Sequence, residues 1–417
     1  MNLQRLTVAT EYQAGKGSKG EVFSGDVLEL LPELTDRFGE KAQMVYLDPP
    51  FGTGGRFSCR VRVGEKDWET SKPSLTDIAY NDNLPRNEYL AMMRQVLEGA
   101  KALLNDTGTI FLHIDYRMSA HLRLLMDQVF GEKNFLNEII WTYQTGGRAK
   151  NYFSRKHDVI LFYRKNHQYY FDINGAAMER TAVRHNHLKR HVDADGRVYR
   201  SIRSGGKVYT YYDDEPVFAG DVWDDVSHMQ QKDPQRTGYE TQKPVRLLER
   251  IVRCGTRPGD LVMDLFSGSG TTLVAAHQLN RGFVGADSAR QAHSVMRRRL
   301  RGAPVLWHIG GTEGEPLVAA SGRVGVGNYE ISLQAYEMEK GVSARSFQGM
   351  DALDDWSVGY LRDGVYHAIA AERRSKAHPR LECVLNLPAL SGEIVLSTGD
   401  VLGRRMFYRL NREEMEF

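Results

Sequence analysis

One stretch of the chain, DLVMDLFSGSGTTLVAAHQL (residues 260–279), reads as a buried strand, a glycine-rich turn and a helix in immediate succession. Apolar runs of strand type and of helical spacing also alternate before it, over residues 42–47, 87–104, 108–115 and 117–130. Strands that alternate with helices are typical of sheets covered by helices. The sequence therefore predicts an α/β fold with a doubly wound, mainly parallel sheet.

Three other changes of pattern organise the rest of the chain. Residues 137–144 and 157–165 alternate like two strands joined by a loop, which predicts a β-hairpin. Residues 167–235 lose the helical rhythm and contain Gly-Gly, Asp-Gly and many tyrosines. From residue 310 the chain carries 12 basic and 16 acidic residues and has β-like runs, which predicts a small β-rich C-terminal domain. The predicted parts are residues 1–166, 167–235, 236–309 and 310–417.

Composition excludes several classes of protein. The 417 residues include 55 basic and 53 acidic side chains, so a uniformly basic, histone-like coat is excluded and any nucleic-acid surface must be local. Three scattered cysteines without a CxxC pattern predict neither a disulfide framework nor a metal site. Apolar runs are shorter than the roughly 18 residues of a membrane span, and the start has no apolar signal segment. We expect a soluble intracellular protein.

The glycine turn in residues 264–272 predicts a ligand site at a helix N-terminus, where N–H groups are free. A dinucleotide fingerprint would need a third glycine where Leu273 stands, and a phosphate-binding loop would need Gly-Lys-Ser/Thr. Asp287 ends the next strand, 19 residues after Gly268, and is placed to accept hydrogen bonds from ribose hydroxyls. The pattern favours an adenosine-type ligand; the alternative is a plain tight turn with a surface aspartate.

The run Asp48-Pro49-Pro50-Phe51 follows the strand at residues 42–47. Two prolines cannot donate to a sheet, so they leave the Pro49 carbonyl free beside the Asp48 carboxylate, while Phe51 adds a flat apolar face. Two acceptors beside an aromatic ring can hold the amino group of a planar base. The alternative is a rigid loop with an aspartate cap.

Taken together and in this order, the two motifs resemble the amino-methylating DNA methyltransferases of the β group, over roughly residues 22–300. In that family the Asp-Pro-Pro-Tyr/Phe motif precedes the target-recognition segment and the S-adenosylmethionine-binding FxGxG motif follows it. The segment RTGYETQKP, preceded by DVWDD, is particularly similar to type III modification subunits and solitary type II enzymes. RNA and protein-glutamine methyltransferases usually have the opposite order.

The resemblance implies a seven-stranded Rossmann-like methyltransferase sheet with a target-recognition insert. Residues 1–166 would be its catalytic part, 167–235 the recognition region and 236–309 the cofactor-binding part. The catalytic residues implied are Asp48, Pro49, Pro50 and Phe51. The cofactor-binding residues implied are Asp26, Thr241, Gln242, Lys243, Pro244, Asp264, Phe266, Ser267, Gly268, Gly270, Thr271, Thr272 and Asp287.

Two features depart from the family pattern. Ser288 follows Asp287 where the family usually has an apolar residue. Residues 52–79 form an insert after Phe51 that is longer than in minimal members. We interpret this insert as a mobile loop that closes over the substrate.

Residues 180–210 carry eight basic residues against two acidic ones, a net charge of +6, at the place where the family has its target-recognition region. Interleaved arginine, histidine and tyrosine suit contacts to phosphates and bases. The alternative is a solvated charged loop. The DNA-binding residues predicted are Arg184, Lys189, Arg190, Arg197, Arg200, Arg203 and Lys207.

The function predicted is sequence-specific methylation of adenine N6 in double-stranded DNA with S-adenosylmethionine, without a metal. The family's adenine enzymes favour aspartate at the first motif position, where its cytosine enzymes more often carry serine, so Asp48 favours adenine. The alternatives are N4-cytosine methylation and, from another class, DNA binding by a non-catalytic cofactor fold. The resemblance leaves open a homodimer and a restriction endonuclease partner, and it implies a cytoplasmic, nucleoid-associated enzyme.

Overall fold

The computed structural model describes residues 3–51, 56–61, 75–81, 83–143, 149–178, 189–230, 233–311, 316–337, 349–375, 378–388 and 392–415. The α-helices in these residues are α1 (Val27–Phe38), α2 (Arg86–Leu103), α3 (Ser119–Phe130), α4 (Val245–Gly255), α5 (Thr271–Gln278) and α6 (Arg290–Arg299). The strands are β1 (Leu3–Leu6), β2 (Thr10–Gln13), β3 (Gly20–Ser24), β4 (Ala42–Leu47), β5 (Arg56–Val61), β6 (Leu75–Asn81), β7 (Leu104–Ile114), β8 (Phe135–Thr142), β9 (His157–Arg164), β10 (Ala177–Met178), β11 (Arg190–Val192), β12 (Val198–Ser204), β13 (Lys207–Tyr212), β14 (Val217–Phe218), β15 (Val222–Trp223), β16 (Leu261–Asp264), β17 (Gly282–Asp287), β18 (Val305–His308), β19 (Leu317–Gly325), β20 (Asn328–Glu337), β21 (Leu353–Arg362), β22 (Val365–Arg373), β23 (Val384–Pro388), β24 (Ile394–Asp400) and β25 (Arg405–Leu410).

A run of parallel strands forms the centre of the main sheet, in the order β18, β3, β17, β16, β4 and β7. Strand β9 is antiparallel to β7 and to β8. The pairing of β8 with β9 confirms the predicted hairpin, whose last pair joins Thr142 to His157. Parallel strands bring their carboxyl ends to one edge of the sheet, which is where ligands bind in such folds.

Both faces of this sheet are covered by helices. Met44 and Tyr46 of β4 belong to one apolar core, together with residues of α4, α5 and α6. Val45 and Leu47 belong to a second core, together with residues of α1, α2 and α3. Side chains of a strand alternate between its two faces, so β4, which is fully buried and apolar except for Gln43, supplies both cores. The prediction of an α/β fold with helices on both faces of the sheet is confirmed, whereas the sheet is mixed instead of mainly parallel, because antiparallel pairs such as β9 with β7 flank the parallel centre.

Within the described residues the sheet is larger than the seven strands predicted. Its fifteen strands follow one another in the order β1, β25, β24, β21, β22, β2, β18, β3, β17, β16, β4, β7, β9, β8 and β15. Strand β2 makes the connection: it is antiparallel to β18 and parallel to β22. A strand of four residues is too short for its alternation to stand out in a sequence. It nevertheless covers the edge of β18 that would otherwise be left unpaired.

The strands after residue 310 also pack around a core of their own, which includes Ile331, Trp356 and Tyr408. The first strand of the chain belongs with them, since β1 pairs antiparallel with β25 and Leu3 lies opposite Leu410. The four-part division of the chain stays a prediction.

Two inserted regions carry small sheets. Strands β5 and β6 pair antiparallel within the insert after Phe51, while residues 52–55 and 62–74 lie outside the described residues, so the prediction of a mobile loop stays untested there. In the predicted recognition region, β11, β12 and β13 form an antiparallel sheet, and β10 pairs with β14. In the described part of the chain, no helix is long and apolar enough to cross a membrane.

Candidate active site

Four strand ends meet at one edge of the sheet. Asp264 at the end of β16 pairs with Tyr46 of β4, two residues before Asp48, and Asp287 at the end of β17 pairs with Ser24 of β3. A cavity of about 450 Å³ lies at this edge. Its wall is formed by Gly25, Asp26, Val27, Tyr46, Asp48, Pro49, Pro50, Phe51, Met92, Tyr239, Thr241, Lys243, Leu248, Asp264, Leu265, Phe266, Ser267, Gly268, Ser269, Thr271, Thr272, Asp287, Ser288 and Ala289.

The four predicted catalytic residues, Asp48 to Phe51, all line this cavity. Asp48 is largely buried, and its Oδ2 accepts a hydrogen bond of 2.5 Å from Lys243 Nζ. The same ammonium lies 5.3 Å from the centroid of the Phe51 ring. The motif therefore presents a carboxylate, a rigid double-proline backbone and an aromatic face to one space, as predicted from its residue types.

The glycine turn forms another part of the cavity wall. Gly268 and Gly270 have φ values of +49° and +74°, a region that favours glycine. A Cβ on Gly270 would come within 2.6 Å of Met296 Cγ, and one on Gly268 would lie 3.3 Å from the Tyr239 ring. The Gly268 backbone can thus follow the cavity wall closely, whereas Gly270 caps α5 and is absent from the lining.

Two buried carboxyl groups accompany the turn. Burial raises the pKa of Asp264 to about 7, against hydrogen bonds from Thr272 and from the Phe266 N–H that favour the ionised form. Burial also raises the pKa of Asp287 to about 6, although its carboxylate accepts the N–H groups of Gly268 at 2.7 Å and Ala289 at 2.8 Å. Such a wall suits a ligand that brings hydroxyl donors or positive charge.

Asp26 lies at the same edge as Asp287, because the Gly25 N–H donates to the Asp287 carbonyl at 3.1 Å. Its carboxylate caps α1 by accepting the Leu28 N–H at 2.8 Å. Asp26 lines the cavity and is exposed, so its carboxylate keeps acceptor capacity for a ligand.

Of the predicted segment Thr241 to Pro244, only Thr241 and Lys243 line the cavity. The Gln242 amide braces its own turn: Oε1 accepts from Thr237, at 2.9 Å from the N–H and 2.7 Å from the hydroxyl, and Nε2 donates to the Gln235 carbonyl at 2.8 Å. Pro244 is the N-cap of α4. The structure therefore places these two residues behind the wall, in contrast to the cofactor contact predicted for them.

Sequence reasoning missed several wall residues, of which Tyr46 is the most informative. Tyr46 is buried, and its hydroxyl lies 2.8 Å from His113 Nδ1. Burial, with the nearby Asp48 carboxylate, raises the pKa of Tyr46 well above its ordinary value. Alternation along β4 could have indicated it, since Tyr46 stands two residues before Asp48 and so shares its face.

A second cavity of about 500 Å³ shares Phe51, Thr241 and Lys243 with the first. Its other lining residues are Asp115, Tyr116, Arg117, Trp141, Tyr143, Arg155, His157, Asp158, His228 and Glu240. Since Phe51 belongs to both walls, a planar group that enters the second cavity comes next to the Asp48 loop. We refer to this second cavity as the cleft.

A buried hydrogen-bonded chain connects the two cavities. His113 contacts Tyr46 through Nδ1 and Asp158 through Nε2 at 3.2 Å, and Asp158 accepts from the Tyr143 hydroxyl at 3.0 Å. Burial alone would raise the pKa of Asp158, but the hydrogen bond from His113 holds it below its ordinary value. These hydrogen bonds hold the side chains of both cavity walls in place beside Phe51. Among the described residues, no group of three or more His, Cys, Asp or Glu side chains could hold a metal ion.

Those predicted DNA-binding residues that the structure describes line neither cavity. Arg184 lies outside the described residues, while Lys189, Arg190, Arg197, Arg200, Arg203 and Lys207 lie on or beside β11, β12 and β13. Arg197 pairs with Asp214 through two bonds of 2.8 Å, and Arg200 contacts Asp213 at 3.4 Å. Asp213, Asp214 and Glu215 follow directly after the basic segment, so the net charge of +6 falls to +3 over residues 180–215.

A family model described as DNA methylase matches residues 42–298. The chain is 30% identical over 307 residues to the type II methyltransferase M.EcaI of Enterobacter cloacae, which covers 62% of this chain and 65% of that protein. It is 27% identical over 170 residues to the EcoP15I Mod subunit of a type III restriction-modification enzyme of Escherichia coli, covering 37% of this chain and 26% of that protein. The M1.HpyAVI–SAM complex is a similar solved structure, with 14% identity, a TM-score of 0.42 and coverage of 67% of this chain and 98% of that one. The chain thus spans less than two thirds of the length of M.EcaI and of the EcoP15I Mod subunit.

Proposed function

Because this chain belongs to the N6/N4 DNA methylase family, we propose that it transfers a methyl group from S-adenosylmethionine to the exocyclic N6 of adenine in double-stranded DNA. One observation carries the proposal: the Asp48–Phe51 loop and the glycine turn at 264–272, more than 200 residues apart in the chain, line the same cavity. The loop supplies acceptors for an amine, and the glycine turn supplies a backbone that a cofactor can approach closely. A methyl transfer requires both at one place.

The cavity fits the proposed methyl donor. Its volume of about 450 Å³ lies within the range of about 300 to 1,000 Å³ of small-molecule sites. Asp287 would accept ribose hydroxyls, Asp26 would contact the adenine and Thr241 would contact the methionine end. When bound, the donor supplies a sulfonium methyl group, whose positive charge suits a wall that contains buried Asp264.

The residues of the cleft and of the Asp48 loop would position the target base. The base must leave the duplex stack to reach a buried site. Phe51 would stack on the base while Asp48 and the Pro49 carbonyl accept the two amine hydrogens. In the described residues, Lys243 is the only hydrogen-bond partner of Asp48, through Oδ2, so Oδ1 is available to the amine. The nitrogen then bonds to the methyl carbon as the carbon–sulfur bond breaks, and the extra proton leaves to water.

Adenine is proposed over cytosine because Asp48 occupies the first motif position. N4-cytosine methylation uses the same acceptor geometry and is the main alternative. A DNA-binding protein without turnover is the alternative from another class. The intact set of Asp48, Phe51 and Gly268 around one cavity supports turnover.

Incubation of the protein with labelled S-adenosylmethionine and unmethylated plasmid DNA tests the proposal, followed by nucleoside analysis. We expect N6-methyladenine. N4-methylcytosine alone would show that the target base is cytosine and would leave the proposed methyl transfer intact. DNA binding without transfer of label would show that the protein is not a methyltransferase. Sequencing with modified-base detection on the same DNA would identify the recognition sequence.

The family relationship also supports a partnership with a restriction endonuclease, since the curated relatives include type II methyltransferases and Mod subunits. We extend the proposal to such a partner and to a homodimer, with residues 310–417 in a supporting structural role. Co-purification with the neighbouring gene products and light scattering test these assignments.

A further inference from the structure

The loop between β8 and β9 presents an unusual pair of aromatic side chains. Phe153 is 98% exposed and Tyr152 is 61% exposed. The loop begins directly after the last hairpin pair, Thr142 with His157, and both Tyr143 and His157 line the cleft. Arg155, two residues after Phe153, also lines the cleft, so the segment that carries the two exposed rings adjoins the cleft.

The described part of this loop is held by specific contacts. The Ala149 N–H donates to Ser154 Oγ at 3.1 Å, and the Tyr143 N–H donates to the Lys156 carbonyl at 2.9 Å. Arg155 adds a second set of contacts: its guanidinium lies 4.1 Å from the ring centroid of Tyr116 and 4.8 Å from that of Tyr152. Phe153 thus projects into solvent from a chain segment that is anchored on both sides.

The charge of this region is positive and separate from the predicted basic segment. Residues 149–157 contain Lys150, Arg155 and Lys156 and no acidic residue. Arg117, which also lines the cleft, is paired with Asp115 and adds no net charge, so the positive charge is that of the loop itself. Cationic side chains around exposed rings are typical of surfaces that track a nucleic-acid backbone and stack on bases.

We propose that Phe153 is a wedge that enters the DNA stack and fills the space vacated by the target nucleotide when its base occupies the cleft. Proteins that distort DNA insert apolar side chains such as phenylalanine between base steps. A wedge must be apolar, exposed before DNA binds and next to the site that receives the base, and Phe153 meets all three conditions. Lys150 and Lys156 contact the phosphates on either side. The inference rests on the proposed DNA methylation.

Binding to a 30-base-pair duplex tests the wedge without turnover. One duplex is intact and the other has a central abasic site, which offers a gap for the ring. The wild type binds the gapped duplex more tightly, by about tenfold, as one aromatic–base stack allows. Phe153→Ala removes this preference and Phe153→Trp keeps it. Leu124→Ala is the matched control, since Leu124 is 63% exposed and lines neither cavity. A preference that survives in Phe153→Ala overturns the proposal.

Kinetics separate this inference from the proposed function. Two duplexes carry the site mapped by modified-base sequencing, with the target base either paired or opposite an abasic site. Phe153→Ala lowers kcat/KM on the duplex with the paired target base by about tenfold. On the duplex whose target base lies opposite an abasic site, kcat/KM of this variant is within about twofold of the wild type, because extrusion of an unpaired base costs little. Equal losses on both duplexes assign Phe153 to general DNA contact and overturn the wedge. A wild type that methylates neither duplex refutes the proposed function, and the binding preference for the gap then decides the wedge alone.

Discussion

Lys243 donates a 2.5 Å hydrogen bond to Asp48 across 195 residues of chain. The carbonyl of Lys243 in turn accepts from the Thr271 hydroxyl at 3.2 Å, at the start of the helix that follows the glycine turn. One residue therefore connects the Asp48 carboxylate with the helix that follows the glycine turn. We expect Lys243 to position Asp48 as well as to line the cofactor site.

Replacing Asp48 tests the catalytic role. Asp48→Asn keeps the shape of the side chain but removes its negative charge. The attraction between this charge and the amine grows as the amine becomes positive, so we expect the rate of methyl transfer to fall by about 10²- to 10³-fold. Affinity for S-adenosylmethionine, measured by calorimetry, should change by less than about threefold. Lys243→Met should lower kcat by a smaller factor, and Lys243→Arg should recover part of the loss. Near-normal turnover by Asp48→Asn would refute the assignment.

The glycine turn predicts a substitution that blocks the cofactor. Gly268→Val places a branched side chain at a φ of +49°, with its Cβ 3.3 Å from the Tyr239 ring, so we expect cofactor affinity to be lost. Gly259→Val is a matched control, because Gly259 also has a positive φ, +90°, but faces open space. Both variants should lose some stability, whereas only Gly268→Val should lose binding in a calorimetric titration. Equal binding by the two variants would contradict the role of the turn.

The buried carboxyl groups predict how pH acts on binding and on stability. The pKa of Asp287 is raised to about 6, so the group gains a proton as pH falls through 6 and can no longer offer two acceptors to ribose hydroxyls. Affinity for S-adenosylmethionine should therefore decrease below pH 6, and Asp287→Asn should bind weakly without that step. The folded protein holds these protons more tightly than the unfolded chain, so ionisation of Asp264 and Asp287 lowers the free energy of unfolding as pH rises from about 4 to 7. Asp264→Asn should flatten that decrease.

The basic sheet β11–β13 predicts a change in salt dependence. Arg203 and Lys207 flank the turn between β12 and β13, away from the Asp213 and Asp214 pairs, and each phosphate contact adds about 0.9 to the slope of log K against log salt. Replacing both with glutamine should flatten the slope by up to about twice that amount and leave cofactor affinity unchanged. Arg197→Gln should have a smaller effect, because its guanidinium is paired with Asp214. An unaltered slope in the double variant would show that this segment is a solvated surface.

We expect the free energy of unfolding to depend strongly on the buried charge of Glu11. Its carboxylate contacts Arg297 at 2.9 Å and Arg405 at 2.8 Å, and these two charges outweigh burial and hold the pKa of Glu11 at about 2. Glu11→Gln should lower the free energy of unfolding by about 3 to 5 kcal/mol, as for other broken buried pairs. The wild-type contribution should be present above the ordinary glutamate pKa and be lost as pH falls toward 2.

Glu393→Gln is the control for Glu11, since Glu393 forms an ion pair with Arg409 at the surface. We expect its cost to stay below about 1 kcal/mol. Urea unfolding of both variants measures the difference. Arg405 belongs to β25, so deletion of residues 310–417 should destabilise the chain for the same reason. A Glu11 variant as stable as the Glu393 variant would contradict the prediction.

The sequence by itself determined the features that depend on near neighbours along the chain. The strand, glycine turn and helix at 260–279 and the double proline after β4 are encoded by residues close to each other in the chain, and each strand of the β8–β9 hairpin is indicated by its own local alternation. The family order of the two motifs also predicted that Asp48, Phe51, Gly268 and Asp287 belong to one site. These local preferences hold wherever the segment lies in the fold.

Only the tertiary structure decided the contacts that depend on strand register and on distant partners. The chain from Tyr46 through His113 and Asp158 requires β4, β7 and β9 to lie in one particular order. The pairing of Arg197 with Asp214 reduces a charge that a count over 180–210 had placed at +6. Strand β2 carries too few residues to signal itself, yet it extends the sheet to fifteen strands. Such contacts join residues far apart in sequence, and no local conformational preference encodes them; the packing of the whole chain selects them.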